Sequence, residues 1–331
     1  MKHRITQALF FTLHFSLFAL CLTSCEYKDL CTDHPHVKWV DVNVVFDWSH
    51  AEEADVKGMT VLFYSEDNPY ADPIRYDFAG NSGGKARLGL GTYRAVAYNN
   101  DTETILLRNF NPYDQLEAYT RVSSIEEGSR LTRSGMPRLQ GTEQENVILE
   151  PDPFYATVSS EPFTIAEGDT EKTIVLKPDY RYYTLDIIIN NVPNLQYTGQ
   201  FGGALSGLSA SRYVASGECS DVTATESFSA TVVGDNSLKM ELRYFGHCPH
   251  MEGDEHNKHM LAIYAILSDG SKWYYGLDIT EKLHDAPVDE QTEHVVITID
   301  EGIPVPKPIV NGSGFRPTID GWQGEEIEVK M

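Results

Sequence analysis

The sequence predicts an all-β protein, and three observations support this prediction. Apolar and polar residues alternate with a period of two over many short segments, which is the pattern of strands with one buried face. Glycine, proline and aspartate recur as turn residues between these segments, about every 8–12 residues. Helical periodicity is almost missing, and there are no long heptads. These features indicate β-sandwiches, and a chain of 331 residues has room for two of them.

In the first half of the chain, the predicted strands lie before residue 100 and after residue 155. Valine, phenylalanine and tryptophan alternate with aspartate and asparagine in the first strand, and a glycine turn at 80–84 separates the second from the third. Farther along, Ser124 precedes two glutamates as a typical helix N-cap, while residues 130–144 are turn-rich and indicate a loop. The predicted strands of this half are 40–48, 59–63, 93–97, 156–158 and 173–176.

Pro178 and Asp179 interrupt the strand pattern, so we predict an N-terminal sandwich over residues 37–178 and a C-terminal sandwich over residues 179–331. The glycine-rich segment 202–207 lacks the lysine and the strand–helix context of a phosphate-binding loop, and we interpret it as a turn and strand edge. The predicted strands of this half are 183–189, 238–244, 261–267, 272–275, 295–299 and 326–331.

The last predicted strand follows a proline-rich link over residues 303–308. Ile327, Val329 and Met331 form its apolar face, opposite a charged face. Such a strand either closes its own sandwich or is donated to a neighbouring subunit, because both uses need alternate apolar side chains. We favour closure of the second sandwich and keep donation as the alternative.

The N-terminus has the form of an export signal, with two basic residues, an apolar run over residues 5–22 and small residues before Cys25. Leu22-Thr23-Ser24-Cys25 resembles the bacterial lipobox, in which the cysteine thiol takes a diacylglycerol group and becomes the mature N-terminus. We therefore predict a signal peptide over residues 1–24, a stable lipid anchor with fatty acids such as palmitate on Cys25, and a polar tether over residues 25–36. The alternative is a simple signal peptide or membrane helix that contains a cysteine by chance.

The chain is strongly acidic, with a formal net charge of −23. Removal of residues 1–24 takes away Lys2 and Arg4 and no acidic residue, so the mature charge is −25. This charge disfavours nucleic acid and anionic lipid head groups as partners. Membrane attachment is therefore expected through the acyl chains, and no second apolar run approaches about 18 residues.

Three cysteines remain in the mature chain beside the lipidated Cys25, namely Cys31, Cys219 and Cys248. Three thiols cannot all pair within one chain. We favour a disulfide between Cys219 and Cys248, because both lie in the C-terminal half whereas Cys31 lies in the tether. Free thiols are the alternative.

The sequence contains none of the common catalytic signatures, and we predict neither an enzyme nor a cofactor. Potential metal ligands cluster in one segment of the sequence, at His247, Cys248, His250, His256 and His259. The proline, glycine and acidic residues among them indicate a hairpin loop, which a metal could bind only by ordering it. We therefore predict an exposed loop held by Cys248 and no metal site, and these residues are the candidates for the alternative.

Aromatic residues are abundant, with four tryptophans and 18 tyrosines. Exposed aromatic rings can stack on sugars, so a carbohydrate-binding platform is one interpretation. The other is that these residues fill strands and sandwich cores, where aromatic side chains are favoured.

Several short motifs follow one another in a characteristic order along most of the mature chain. Each motif is short, and it is their order, after a lipobox, that resembles Bacteroides-type fimbrillin-like lipoproteins, the group of fimbrial anchor and accessory subunits. The matching segments are Phe46-Asp47-Trp48, Gly58-Met59-Thr60-Val61-Leu62-Phe63-Tyr64, residues 88–99, Leu205-Ser206-Gly207-Leu208, Ser268-Asp269-Gly270-Ser271-Lys272-Trp273-Tyr274-Tyr275 and residues 314–331.

The resemblance implies two transthyretin-like β-sandwich domains and assembly by strand donation, in which a neighbour's strand completes a subunit that lacks one. It also implies an address on the outer membrane, at the cell surface. Stalk subunits of this family are trimmed after a basic residue, whereas anchor-type subunits keep their lipid and their first strand. Between His50 and Met59 only Lys57 offers such a residue, which favours an anchor or accessory subunit.

The predicted function is therefore a non-enzymatic, lipid-anchored structural subunit of a fimbria-like surface assembly. Its expected partners are other fimbrial subunits, through strand donation, and the membrane, through lipidated Cys25. The alternative is a carbohydrate-binding surface lipoprotein of a glycan-uptake system, which exposed tryptophans on one sheet face would favour.

Overall fold

Strands account for 50% of the residues and helices for 6% in the computed structural model, which confirms the all-β prediction. The structure describes residues 38–131, 135–247, 258–289, 291–308 and 321–327, together with Val329. The described part of residues 39–331 belongs to one compact unit. Within the described residues, no helix is both long enough and apolar enough to cross a bilayer.

The first half of the chain forms two sheets around one core. Its strands are β1 (Val40–Phe46), β2 (Gly58–Ser65), β3 (Ile74–Ala79), β4 (Gly83–Leu88), β5 (Gly91–Asn99), β9 (Tyr155–Val158), β10 (Phe163–Ile165), β11 (Glu171–Leu176) and β12 (Asp179–Tyr180). One sheet has the order β11-β1-β4, and the other has the order β12-β9-β5-β2-β3 with β10 beside β5. Apolar side chains of both sheets pack together in a single cluster.

The second half forms one long sheet that closes around a second core. Its strands are β13 (Tyr183–Ile189), β14 (Thr198–Ser209), β16 (Thr223–Val233), β17 (Ser237–Tyr244), β18 (Met260–Leu267), β19 (Lys272–Asp278), β20 (Val288–Asp289), β21 (His294–Ile299) and β22 (Trp322–Ile327). The order is β20-β21-β13-β17-β16-β14-β18-β19-β22. The first part of β16 pairs with β14 and its last part pairs with β17. This strand therefore joins the part of the sheet that contains β14 to the part that contains β17.

The remaining elements are short. They are β6 (Leu106–Arg108), β7 (Glu117–Tyr119), α1 (Ile125–Ser129), β8 (Asn146–Ile148), β15 (Ser211–Tyr213), α2 (Thr280–Asp285) and 3-10 turns at Tyr113–Gln115 and Leu195–Tyr197. The predicted cap is confirmed, since the Ser124 side chain accepts a hydrogen bond from the backbone of Glu127. Strand β7 pairs with β15, and β8 pairs with β16, so strand pairing crosses the predicted boundary at residue 178. The division into two domains stays a prediction.

The glycine-rich segment 202–207 is not a turn or a strand edge, so that interpretation is wrong. It lies in β14, between β16 and β18 in the interior of the long sheet. A Cβ atom on Gly202 would stand 2.7 Å from the Cβ of Ser129 in α1, and one on Gly203 would clash with the ring of Phe228. The glycines therefore allow a helix and an aromatic ring to pack closely on a central strand.

Glu226 in β16 is 1% exposed, and among the described residues neither of its carboxylate oxygens has a hydrogen-bond partner. Burial raises the pKa of this carboxyl well above its usual value of 4.5, and the charge of Glu150 raises it further. An isolated ionised carboxylate at this position would be costly, so the folded protein holds the proton.

We expect Glu226→Gln to increase the free energy of unfolding by about 1–3 kcal/mol at mildly alkaline pH. Above pH 4.5 the unfolded carboxyl loses its proton while the folded one keeps it, so the wild type loses stability as pH rises towards the folded pKa. Glutamine does not titrate. Denaturant unfolding near pH 4.5 and at mildly alkaline pH measures the effect. The control is Glu218→Gln, which changes an exposed glutamate. A gain of equal size near pH 4.5 and at alkaline pH would contradict this account.

Candidate functional site

The first strand, β1, is an interior strand of its sheet. It pairs in parallel with β11 on one side and antiparallel with β4 on the other. Val40, Val42, Val44 and Phe46 point into the first core, and each is at most 6% exposed. The strand is therefore fixed by two ladders and by four buried side chains. The chain itself supplies the first strand of the first sandwich.

The last strand, β22, is held differently. It pairs in parallel with β19 alone and ends the order of the long sheet. It begins four residues before the predicted strand, and Met331 lies outside the described residues. Glu325 and Glu326 are exposed, while Ile327 and Val329 pack only partly against the second core. The ring of Trp322 packs on Tyr264 with centroids 5.5 Å apart. The chain's own last strand thus closes the sheet without a fully buried side chain.

The predicted lipid anchor and the predicted disulfide both involve cysteines. Of the cysteines in the mature chain, the structure describes Cys219 alone. Cys25, Cys31 and Cys248 lie outside the described residues. The Sγ atom of Cys219 lies 3.5 Å from the carbonyl oxygen of Phe245, three residues before Cys248 in the chain. The bridge between Cys219 and Cys248 stays a prediction. Cys219 lies beside Phe245, in the segment that leads to Cys248.

Two of the histidines that the sequence analysis singled out come together with a third that it missed. His247 follows β17 and forms a bridge with Leu208, and His259 immediately precedes β18. His284 lies on α2, and the ligand atoms of the three side chains are all within 4.8 Å of one another. His250 and His256 lie outside the described residues. Nothing local in the sequence links His284 to the other two, because only the fold brings α2 against them.

His259 has 0% exposure, so the prediction of an exposed loop is wrong for this residue. Its imidazole lies over Gly207, where a Cβ atom would stand 2.8 Å from Nδ1. Gly207 has a φ angle of 77° at a bulge in β14, a conformation that favours glycine. Burial lowers the pKa of His259 to about 3, and the neighbouring His247 lowers it further, so the ring is neutral at neutral pH.

The four tryptophans do not form an exposed platform. Trp39 is 59% exposed, whereas the other three are only partly exposed. Trp48 packs on Phe46 and Tyr155 in the first sandwich, and its indole nitrogen donates a hydrogen bond to the carbonyl oxygen of Asn81. Trp39 alone offers a single exposed indole, so no specific contact favours the carbohydrate-binding alternative.

The strand order and the two cores define an all-β protein with several sheets. The chain belongs to the family described as Domain of unknown function (DUF5119), whose model matches residues 24–229. This match covers more than half of the 331 residues.

A relative from Bacteroides ovatus, named "Putative fimbrium anchoring subunit Fim4B", is 25% identical over 346 residues, which cover 94% of this chain and 95% of the relative. The resemblance to fimbrial anchor proteins is thereby confirmed. The crystal structure of a "putative adhesin" from Bacteroides ovatus is 22% identical, with a TM-score of 0.58 and coverage of 87% of this chain and 99% of that one. "Putative polysaccharide binding proteins" from Bacteroides thetaiotaomicron have 10% identity, a TM-score of 0.50, and coverage of 80% and 92%. Both structural likenesses concern the fold.

Proposed function

We propose that this protein is a lipid-anchored, non-enzymatic structural subunit, of anchor or accessory type, in a fimbria-like assembly at the cell surface. It joins its neighbour by β-strand complementation at the edge of β19. The observation that carries the proposal is this edge, which the chain's own last strand covers with half of its six residues exposed and none fully buried. The relative over the whole chain, with its name as a fimbrium anchoring subunit, supports the wider assignment.

The two terminal strands differ in how strongly they are held, and this difference decides which one can be exchanged. Burial of four apolar side chains in β1 contributes about 6–12 kcal/mol, at roughly 1.5–3 kcal/mol for each side chain. Strand β22 has no side chain that is fully buried, and a parallel edge ladder is slightly less stable per residue than an antiparallel one. A neighbour's strand could therefore replace β22 but not β1.

Strand exchange at β19 needs a donor with alternate apolar side chains. The ladder with β19 would supply the geometry, and side chains that fill the sites of Trp322 and Ile327 would supply the specificity. Retention of β1 fits an anchor or accessory subunit, because such a subunit has no need of a trimmed first strand. The proposal places the attachment to the membrane at the other end of the chain, on Cys25.

We expect Cys25→Ala to abolish incorporation of a fatty-acid analogue and to leave a soluble or inner-membrane precursor in place of the lipid-anchored protein. The lipobox supplies the reason, because the thiol of this cysteine is the acceptor of the lipid. Metabolic labelling and fractionation of the producing bacterium measure both effects. The matched control is Cys31→Ala, which removes the neighbouring thiol and should change neither. Equal labelling of the wild type and Cys25→Ala would contradict the lipid anchor.

A further inference from the structure

Three histidine side chains from three separate elements meet on one side of the second sandwich. His247 stands at the end of β17, His259 at the beginning of β18 and His284 on α2. The ring centroids are 4.7 Å apart for His247 and His284, 5.0 Å for His259 and His284, and 5.5 Å for His247 and His259. His259 is fully buried, and the other two are partly buried.

The spacing of the ring nitrogens is close to that of a metal site. One ligand atom from each histidine lies within 4.8 Å of the others. Zinc–nitrogen bonds of about 2.0–2.1 Å in tetrahedral geometry place two nitrogens about 3.3–3.4 Å apart. The most distant pair therefore has to approach by about 1.4–1.5 Å. Rotation of the partly buried His284 and a small shift of the short helix α2 can supply this movement.

The buried member of the cluster already has a fixed tautomer. The Nδ1 atom of His259 lies 3.2 Å from the carbonyl oxygen of Ser206. A carbonyl oxygen only accepts hydrogen bonds, so Nδ1 carries the proton and Nε2 keeps its lone pair. Histidines that ligate a metal commonly donate their second ring nitrogen to a backbone carbonyl in this way.

A second contact holds the backbone of His259 to the segment that carries His284. The His259 N–H donates to Thr280 Oγ1 at 2.9 Å, and that hydroxyl donates to Asp278 Oδ1 at 2.6 Å. Thr280 is the first residue of α2. The same bonds that position His259 therefore position the start of the helix that presents His284.

We propose that His247, His259 and His284 bind a divalent transition-metal ion, with zinc as the ion that fits their chemistry best. Imidazole nitrogens suit zinc, copper and nickel, whereas magnesium and calcium prefer oxygen ligands. The bound ion would join the end of β17, the start of β18 and α2, and so stabilise this side of the second sandwich.

The test titrates zinc into the full chain, purified in detergent and stripped of metal by a chelator. Calorimetry should give one tight site per chain, and a zinc concentration of about 100 times Kd should raise Tm by about 5–10 °C. His284→Ala should weaken zinc binding by at least about 100-fold and abolish the rise in Tm. His284 lies outside the segment 247–259, so this variant leaves the other potential ligands of that segment in place.

The matched control is His294→Ala, which removes a partly exposed histidine from β21 and should leave zinc affinity unchanged. His247→Gln provides a second ligand variant, and the Tm of each variant without metal reports whether it folds. Cobalt added to the wild type should give the visible absorption of a tetrahedral site, which His284→Ala should lose. Zinc binding that is equally tight in the wild type and both ligand variants, or a wild-type Tm that zinc does not raise, would overturn the proposal.

Discussion

Val44→Asp is expected to prevent stable folding of the first sandwich, with a loss of at least about 4 kcal/mol in the free energy of unfolding. Val44 is 2% exposed and lies between Ile174 of β11 and Gly84 of β4 in the register of the sheet. An aspartate here would bury a carboxylate among apolar side chains with no cation opposite it. Denaturant unfolding and the yield of soluble protein measure the effect.

Val45→Asp is the matched control, because it places the same charge one residue farther along the same strand. Val45 is 40% exposed on the opposite face, beside exposed Val175. We expect a change within about 0.5–1 kcal/mol for this variant. If Val44→Asp were as stable as Val45→Asp, then β1 would not be a fixed part of the first core, and the argument for a retained first strand would fail.

Deletion of residues 320–331 is expected to lower the stability of the second sandwich by about 2–4 kcal/mol while leaving the protein folded. The deletion removes the ladder on β19, the partly buried Ile327 and Val329 of the second core, and the packing of Trp322 on Tyr264. Apolar area is worth about 25 cal/mol for each Å² buried, and these side chains bury only part of theirs. Differential scanning calorimetry should show a lower Tm for the deletion variant.

A double substitution of the exposed residues, Glu325→Gln and Glu326→Gln, is the control for this deletion, since it changes the strand without removing its apolar contacts. Its Tm should match that of the wild type. A deletion variant that melts like the wild type and fails only in assembly would mean that β22 is donated to a neighbour, contrary to the closure of the sheet described above.

The elements that could be predicted from the sequence are those in which one face alone is buried. From Thr184 onward in β13 and throughout β17, buried and less buried residues alternate, and the predicted bounds match the observed ones to within one residue. Strand β14 was missed because its glycines and serines look like a turn in sequence. They are there because α1 and Phe228 pack closely on the strand, and this packing depends on residues far away in the chain.

The histidine cluster was only half predictable for a similar reason. His247 and His259 are near each other in sequence, so their proximity could be suspected. His284 lies 25 residues beyond His259, and only the pairing of β18 with β19 brings the following helix back to the start of β18. Glu226 gives no sequence signal either, since its neighbours in β16 are polar residues and its burial comes from the strands on both sides.

A reversible lock on β22 tests strand complementation most directly. Tyr274 and Gly324 are register partners on β19 and β22, and Tyr274→Cys with Gly324→Cys would also remove the ring that crowds Gly324. Adjacent strands bring Cα atoms within the range of about 4.4–6.8 Å that a disulfide spans. In the producing bacterium, the oxidised variant should reach the membrane without a neighbouring subunit, and reduction should restore the complex. Tyr274→Cys alone should assemble normally. A locked protein that carries the same subunits as the wild type would contradict strand exchange at this edge.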